Sequence, residues 1–181
     1  LYVPIPGRKD NRINAAYSFG GPKLAMQTIN QNFNLNITRY VTVDFFGLEE
    51  IIDAMGGVDI DVKEKEVNHL NKIVRELNNL DKKNRTSPGI SGAGLQTLNG
   101  RQAVAYSRIR KVGHGDAERT ERQRRVLSAM FNKMKSINPL KLPDLIASII
   151  PYADTNIPIS EMISLGTSVL GVKDKHIYQY R

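Results

Sequence analysis

The order of strand-like and helix-like segments predicts an α/β fold: a central, mostly mixed β-sheet covered by helices on both faces, an α-β-α sandwich. Three observations carry this reading. Tyr40-Val41-Thr42-Val43-Asp44-Phe45 and Val58-Asp59-Ile60-Asp61-Val62 alternate with a period of two and are rich in β-branched residues. Apolar residues recur at helical spacing elsewhere, as in Val67, Leu70, Val74 and Leu77. Glycine and proline punctuate the boundaries.

Taken in order, Leu1 to Asn11 carries Pro4, Pro6 and Gly7 and reads as an extended surface loop. Gly20-Gly21-Pro22 marks a helix start, with proline suited to the first turn, and Leu24, Ala25, Thr28, Ile29 and Phe33 continue it. A strand follows over Tyr40 to Phe45, then a short helix from Gly47 to Met55, stopped by Gly56-Gly57. Val58 to Val62 is a second strand, and the helix built on Val67, Leu70, Val74 and Leu77 comes next. Asp81 to Gly94 is basic, then rich in Ser, Pro and Gly, and is expected to be a mobile loop.

Asn99 is suited to cap a helix, with Gln102 three residues on completing a capping box, and that helix should end near Ser107. A long helix is expected from about Glu118 to Ser136, and two more over Pro143 to Ile150 and Ser160 to Leu170. His176 to Tyr180 reads as a closing strand. A length of 181 residues suits one domain over 1–181.

The absence of cysteine excludes disulfides, thiolate metal sites and a cysteine nucleophile. No apolar run approaches the roughly 20 residues that span a bilayer; Leu142 to Ile150 is broken by Pro143, Asp144 and Ser148. The 26 basic and 18 acidic residues leave a charge of +8, which favours an anionic partner: nucleic acid, lipid surface or phosphorylated small molecule.

The long helix shows where that charge gathers. Val126, Leu127, Met130, Phe131, Met134 and Ile137 form an apolar face, and its backward projection carries Gln123 and Arg119. Arg122 falls at the margin, and Arg124 and Arg125 fall outside. An inward arginine is costly unless paired, and helix N-termini favour anions. If the chain leaves the preceding helix extended, Arg108 and Arg110 share a side while Ile109 faces the core. Arginine forks match phosphate oxygens. The competing reading is that these arginines are solvated, or pair with Asp116, Glu118 and Glu121.

The string Leu98-Asn99-Gly100-Arg101-Gln102-Ala103-Val104-Ala105-Tyr106-Ser107-Arg108-Ile109-Arg110, then Gly115-Asp116 and Arg119-Thr120-Glu121-Arg122-Gln123, resembles the signature of the LytR-CpsA-Psr family. Arg12-Ile13-Asn14-Ala15-Ala16-Tyr17-Ser18-Phe19-Gly20-Gly21 and Asp53-Ala54-Met55-Gly56-Gly57-Val58-Asp59-Ile60 resemble two further blocks of it. The likeness runs in order from Leu1 to about Ile137.

The resemblance implies a phosphotransferase of the bacterial envelope. Such a protein moves anionic glycopolymers, teichoic acid or capsular or secondary wall polysaccharide, from a polyprenyl pyrophosphate carrier to a peptidoglycan acceptor. It implies Arg108, Arg110 and Arg119 as catalytic residues, and Arg12, Arg108, Arg110, Arg119 and Gln123 as pyrophosphate ligands. Arg12 stands where the family usually has lysine. A magnesium ion would balance charge, and the lipid would lie in an apolar tunnel between sheet and helices.

The chain starts at Leu1 rather than Met and is read as a fragment with the N-terminal part missing. By the resemblance, the magnesium aspartates, the probable base and a transmembrane anchor lie upstream, and the protein works on the extracytoplasmic face of the membrane. No metal ligand is assigned within the fragment. Asp10, Asp59, Asp61 and Asp116 do not replace them: Asp59 and Asp61 read as structural or solvent-facing strand residues, and Asp116 as ordering the loop before the long helix.

His114 in Gly113-His114-Gly115, His69 and His176 lack partners at catalytic spacing and read as ordinary loop histidines. Pro88 to Gly94 lacks the lysine and spacing of a P-loop. Leu140, Leu142, Leu145, Ile146, Ile149 and Ile150 suit either a lipid tunnel or a core. Two other functions stay open: a DNA-binding regulator or attenuator, which lacks any nucleic-acid motif here so that no nucleic acid is expected, and a non-catalytic polyprenyl-phosphate binding module.

Overall fold

The computed structural model describes residues 1–81, 83, 85–110, 112 and 116–171. The closing strand expected over His176 to Tyr180, and the loop holding His114, lie outside them. In chain order the elements are β1 (Tyr2–Val3), β2 (Asn11–Arg12), α1 (Ala15–Phe33), β3 (Val41–Thr42), α2 (Phe45–Ala54), β4 (Val58–Val62), α3 (Glu64–Leu80), β5 (Gly94–Leu98), α4 (Gly100–Ser107), α5 (Asp116–Lys135), α6 (Leu142–Ile149), β6 (Asp154–Thr155) and α7 (Ile159–Leu170). The mixed α/β class is what the structure shows. The strands pair two by two among the described residues, antiparallel in each case: β1 with β2, β3 with β6, and β4 with β5.

The chain divides into two compact units, Leu1–Thr42 with Asp154–Pro158, and Val43–Ala153 with Ile159–Arg181. In the first, the opening segment is a small hairpin rather than a free loop: Tyr2 faces Arg12 and Val3 faces Asn11, with Gly7 at φ 69° in the connection. Val3 and Ile5 are buried, which an irregular surface loop would not require. The helix start expected at Gly20-Gly21-Pro22 is a kink inside α1, where Gly21 takes φ 64° and both glycines leave helical geometry. Here proline begins a fresh helical segment instead of interrupting one, because its missing N–H falls where no intrahelical bond is due.

The second unit holds the large core. Val58, Ile60 and Val62 of β4 point inward, while Asp59 and Asp61 are exposed, as their alternation predicts. Asp59 accepts a hydrogen bond from the Thr97 hydroxyl of β5 at 2.5 Å. The opposite face of this pair also exposes Leu95, so the described residues cover the β4–β5 pair on one face. Val67, Leu70, Val74 and Leu77 of α3 pack into the same cluster with Ile52, Leu98, Tyr106 and Val126. Every residue from Gly100 to Tyr106 is buried, so α4 is enclosed on all sides by α2, α3, α5 and β5.

Two blocks of the family-like pattern meet at the start of α4. The Asp53 carboxylate accepts the Gly100 N–H at 2.6 Å, and a β-carbon at Gly100 would overlap the Glu49 carbonyl. Asn99 caps the helix by accepting the Gln102 N–H at 2.9 Å, while Gln102 Oε1 accepts the Asn99 N–H at 3.0 Å, closing the expected capping box. Gly57, at φ 82°, lies so close to β5 that a β-carbon would come within 2.8 Å of the Leu98 carbonyl oxygen. Its backbone conformation and its close approach both demand glycine.

Within the loop after α3, expected to be mobile, the stretch from Ser87 to Ile90 is tied down. The Asn71 amide both donates to the Ile90 carbonyl (2.9 Å) and accepts the Ile90 N–H (2.7 Å). Asn78 does the same for Ser87, at 3.0 Å each way. Gln102 donates to the Pro88 carbonyl at 3.0 Å. Side-chain amides supply the donor and acceptor that a neighbouring strand would otherwise provide.

The long helix α5 begins at Asp116. In α6, Leu142 and Ile146 are buried while Leu140, before the helix, is exposed, and α6 packs on α2 and α7. Among the described residues no helix is long and apolar enough to cross a membrane.

Candidate anion-binding site

Three arginine environments in the second unit decide which side chains are available to a ligand. Arg101, from α4, is 5% exposed. It donates from Nε (3.0 Å) and Nη2 (2.8 Å) to Glu49 Oε2, from Nη2 to Asp81 (2.5 Å), and from Nη1 to Asn78 Oδ1 (2.9 Å) and the Arg85 carbonyl (2.5 Å). Arg101 holds the Asp81 carboxyl below the ordinary carboxylate range, chiefly through this hydrogen bond. Arg85 adds a bond to Asp81 at 3.0 Å and pairs with Glu50. Arg101 thus spends its donors on protein oxygens and is not available to a ligand.

Arg122 is the second environment. It is 2% exposed and donates to Glu66 of α3 at 2.8 Å, to Glu118 at 2.8 Å, and to the carbonyls of Ile109 and Val112 at 3.2 Å each. This corrects the helical projection, which left Arg122 at the margin and turned Arg119 and Gln123 inward. The inward stripe runs through the buried Arg122 and Val126 to the half-buried Met130; Gln123 and Leu127 are exposed and Arg119 is half-buried. A hydrophobic projection rejects an arginine from the core, yet a guanidinium whose donors all find oxygen can lie there. Arg124 and Arg125 pair with Glu121, and Arg125 donates to the buried Tyr106 phenol at 3.2 Å. Burial pushes that phenol's pKa up.

The third environment is a cavity of about 690 Å³ in the second unit, lined among others by Arg108, Arg110, Arg119 and Gln123. Four of the five expected ligands are therefore brought together; Arg12 belongs to the first unit, exposed on β2. Ile109 is fully buried, so the residues either side of it emerge on the cavity side as expected. They do so without an extended exit, since Arg108 caps α4 at φ −94°, ψ −5°. The Arg108 guanidinium lies 4.5 Å from the ring centroid of Phe45, which holds its plane without neutralising it.

Among the described residues, neither Arg108 nor Arg110 has a carboxylate partner. Of the carboxylates in the competing reading, Glu118 pairs with Arg122, and Glu121 with Arg124 and Arg125.

Sequence reasoning missed the opposite wall. His69, Lys72, Ile73 and Glu76 of α3 also line the cavity. Their spacing is a helical stripe beside the buried one, and His69 stands on a helix rather than in a loop. Among the described residues no group of three or more His, Asp or Glu side chains could hold a metal ion. Glu76 is the one carboxylate among the described lining residues, and these do not fit a magnesium site by themselves.

The model of the LytR_cpsA_psr family matches residues 1–181. The chain is 31% identical over 179 residues to "Regulatory protein MsrR" of Staphylococcus aureus (strain Mu50), covering 96% of this chain and 50% of that protein. It is 34% identical over 168 residues to the polyisoprenyl-teichoic acid–peptidoglycan teichoic acid transferase TagV of Bacillus subtilis (strain 168), covering 92% of this chain and 40% of that protein. Its fold matches a structure of TagT bound to LIIa-WTA, with TM-score 0.74 and 26% identity, over 95% of this chain and 60% of that one. The chain thus spans about half or less of the curated relatives it matches. On the family model and these identities, the chain belongs to the LytR_cpsA_psr family.

Proposed function

We propose that this chain is the anion-binding part of a phosphotransferase that passes a glycopolymer from a polyprenyl pyrophosphate carrier to peptidoglycan at the extracytoplasmic membrane face. The observation that carries the reading is the pair Arg108 and Arg110, which open into a cavity without carboxylate partners among the described residues. The two buried arginines of the unit are spent on carboxylates, Arg101 on Glu49 and Asp81 and Arg122 on Glu66 and Glu118. The transferase name of TagV and the ligand in the TagT structure agree with it.

In this reaction an acceptor hydroxyl oxygen attacks the phosphorus that bears the glycan. Its bond to the bridging oxygen breaks, polyprenyl monophosphate leaves, and the hydroxyl proton passes to a base. Arg108, Arg110 and Arg119 hold the non-attacking oxygens and take up charge as it shifts to the leaving phosphate. Gln123 adds an amide donor. Magnesium, when bound, would share that neutralisation.

The test is binding of farnesyl pyrophosphate to the full chain by calorimetry. Arg108→Ala and Arg110→Ala should each weaken it at least about tenfold, as expected for lost charge-assisted hydrogen bonds. Unchanged affinity in both variants would overturn the assignment. So would tight, steeply salt-dependent binding of duplex DNA in place of pyrophosphate, the behaviour of a regulator.

A further inference from the structure

The cavity has two chemically different walls. The α4–α5 wall presents Arg108, Arg110 and Arg119, and among the described residues neither Arg108 nor Arg110 has a carboxylate partner. The α3 wall presents Lys72 and Glu76, one turn apart, with His69 and Ile73 on the same stripe. Among the described residues neither Lys72 nor Glu76 makes an ion pair or hydrogen bond, although their spacing would allow them to pair with each other. At about 690 Å³ the space falls in the range of drug-sized ligands, so more than a pyrophosphate is accommodated.

Resting on the reading above, the ligand has three chemically distinct parts: a prenyl chain, a pyrophosphate and a glycan. The pyrophosphate belongs with the arginines. A carboxylate would repel its oxygens, so Glu76 does not serve it. A prenyl chain gains little there, since Ile73 is the stripe's apolar member and Lys72 and Glu76 beside it would be desolvated. The glycan remains, with hydroxyls that a carboxylate accepts from and an ammonium donates to.

We propose that the α3 stripe is the subsite for the sugar attached to the pyrophosphate, with Glu76 accepting hydrogen bonds from its hydroxyls and Lys72 donating to them. The stripe then selects the transferred group, while the arginine wall recognises what all such carriers share.

The distinguishing variant is Glu76→Ala, an exposed position where the fold loses nothing buried. Its affinity is compared with that of the unchanged chain for farnesyl pyrophosphate with and without a hexose on the terminal phosphate. Removing the carboxylate should leave the hexose-free ligand unchanged or bound more tightly, because a repulsion is gone. The hexose-bearing ligand should weaken, shifting the ratio of affinities about tenfold, the scale of a lost charged hydrogen bond. An equal change in both, in either direction, or no change, overturns the subsite. Arg108→Ala runs alongside: if it weakens neither ligand, the pyrophosphate reading itself falls.

Discussion

Replacing Arg122 with methionine tests whether the inward arginine is as central as its contacts indicate. Methionine keeps much of the aliphatic volume but removes all four bonds, to Glu66, Glu118 and the carbonyls of Ile109 and Val112. Glu66 is 2% exposed and would keep only the Lys63 N–H, at 3.0 Å, as a charged partner left in the core. Removing one member of a buried pair costs about 3–5 kcal/mol. The Glu118 bond is partly exposed and adds little. We therefore expect a loss of about 4 kcal/mol in urea unfolding, followed by far-UV circular dichroism since the chain has no tryptophan. Adding Glu66→Gln removes the stranded charge and should recover about 1–2 kcal/mol of that loss, within the usual coupling of contacting pairs. A loss below about 1 kcal/mol, or a double variant as damaged as the sum of the singles, would refute the view that Arg122 and Glu66 act as a buried pair.

Two further outcomes follow from the packing around α4. The folded chain holds the Asp81 carboxyl below its ordinary value, so its stabilisation is complete above the ordinary aspartate pKa and is lost as pH falls through the depressed one. Unfolding midpoints should drop on acidification below about pH 4, and Asp81→Asn should flatten that drop; an unaltered acid profile would contradict it. Gly100→Ala places a methyl group against the Glu49 carbonyl, so it should destabilise by about 2 kcal/mol or more despite alanine's better helix propensity, and a stabilised variant in the same urea assay would show that the α2–α4 approach is looser than described.

Local signals exposed much of this fold in the sequence. Asn99 and Gln102 lie within one helical turn, and Val67, Leu70, Val74 and Leu77 recur on one face, so α4 and α3 could be placed without knowing what they touch. The arginine pair Arg108 and Arg110 was legible because Ile109 between them is core. What failed depended on distant partners. Arg122 looks misplaced on an apolar stripe until Glu66, 56 residues away in the chain, is seen beside it.

The run Tyr40 to Phe45 alternates like a strand, but Asp44 accepts the Gly47 N–H at 2.7 Å and starts α2 one residue later. Strand β5 gave no alternation to read, since Leu95 faces out and Leu98 faces in. The α3 wall of the cavity was hidden for another reason: Lys72 and Glu76 look like any solvated helix face until α4 and α5 close the other side.

The enclosure of α4 has a consequence for motion. A helix of eight residues without a wetted side cannot fray by itself; its amides exchange with solvent only when the surrounding layers part together. Arg108 and Arg110 follow the end of that enclosed element, whereas the facing glutamate and lysine ride on the wet side of a surface helix. Deuterium should therefore reach the amides under the arginines last, and a ligand's phosphates would rest on the one part of the cavity that stays formed while its rim breathes.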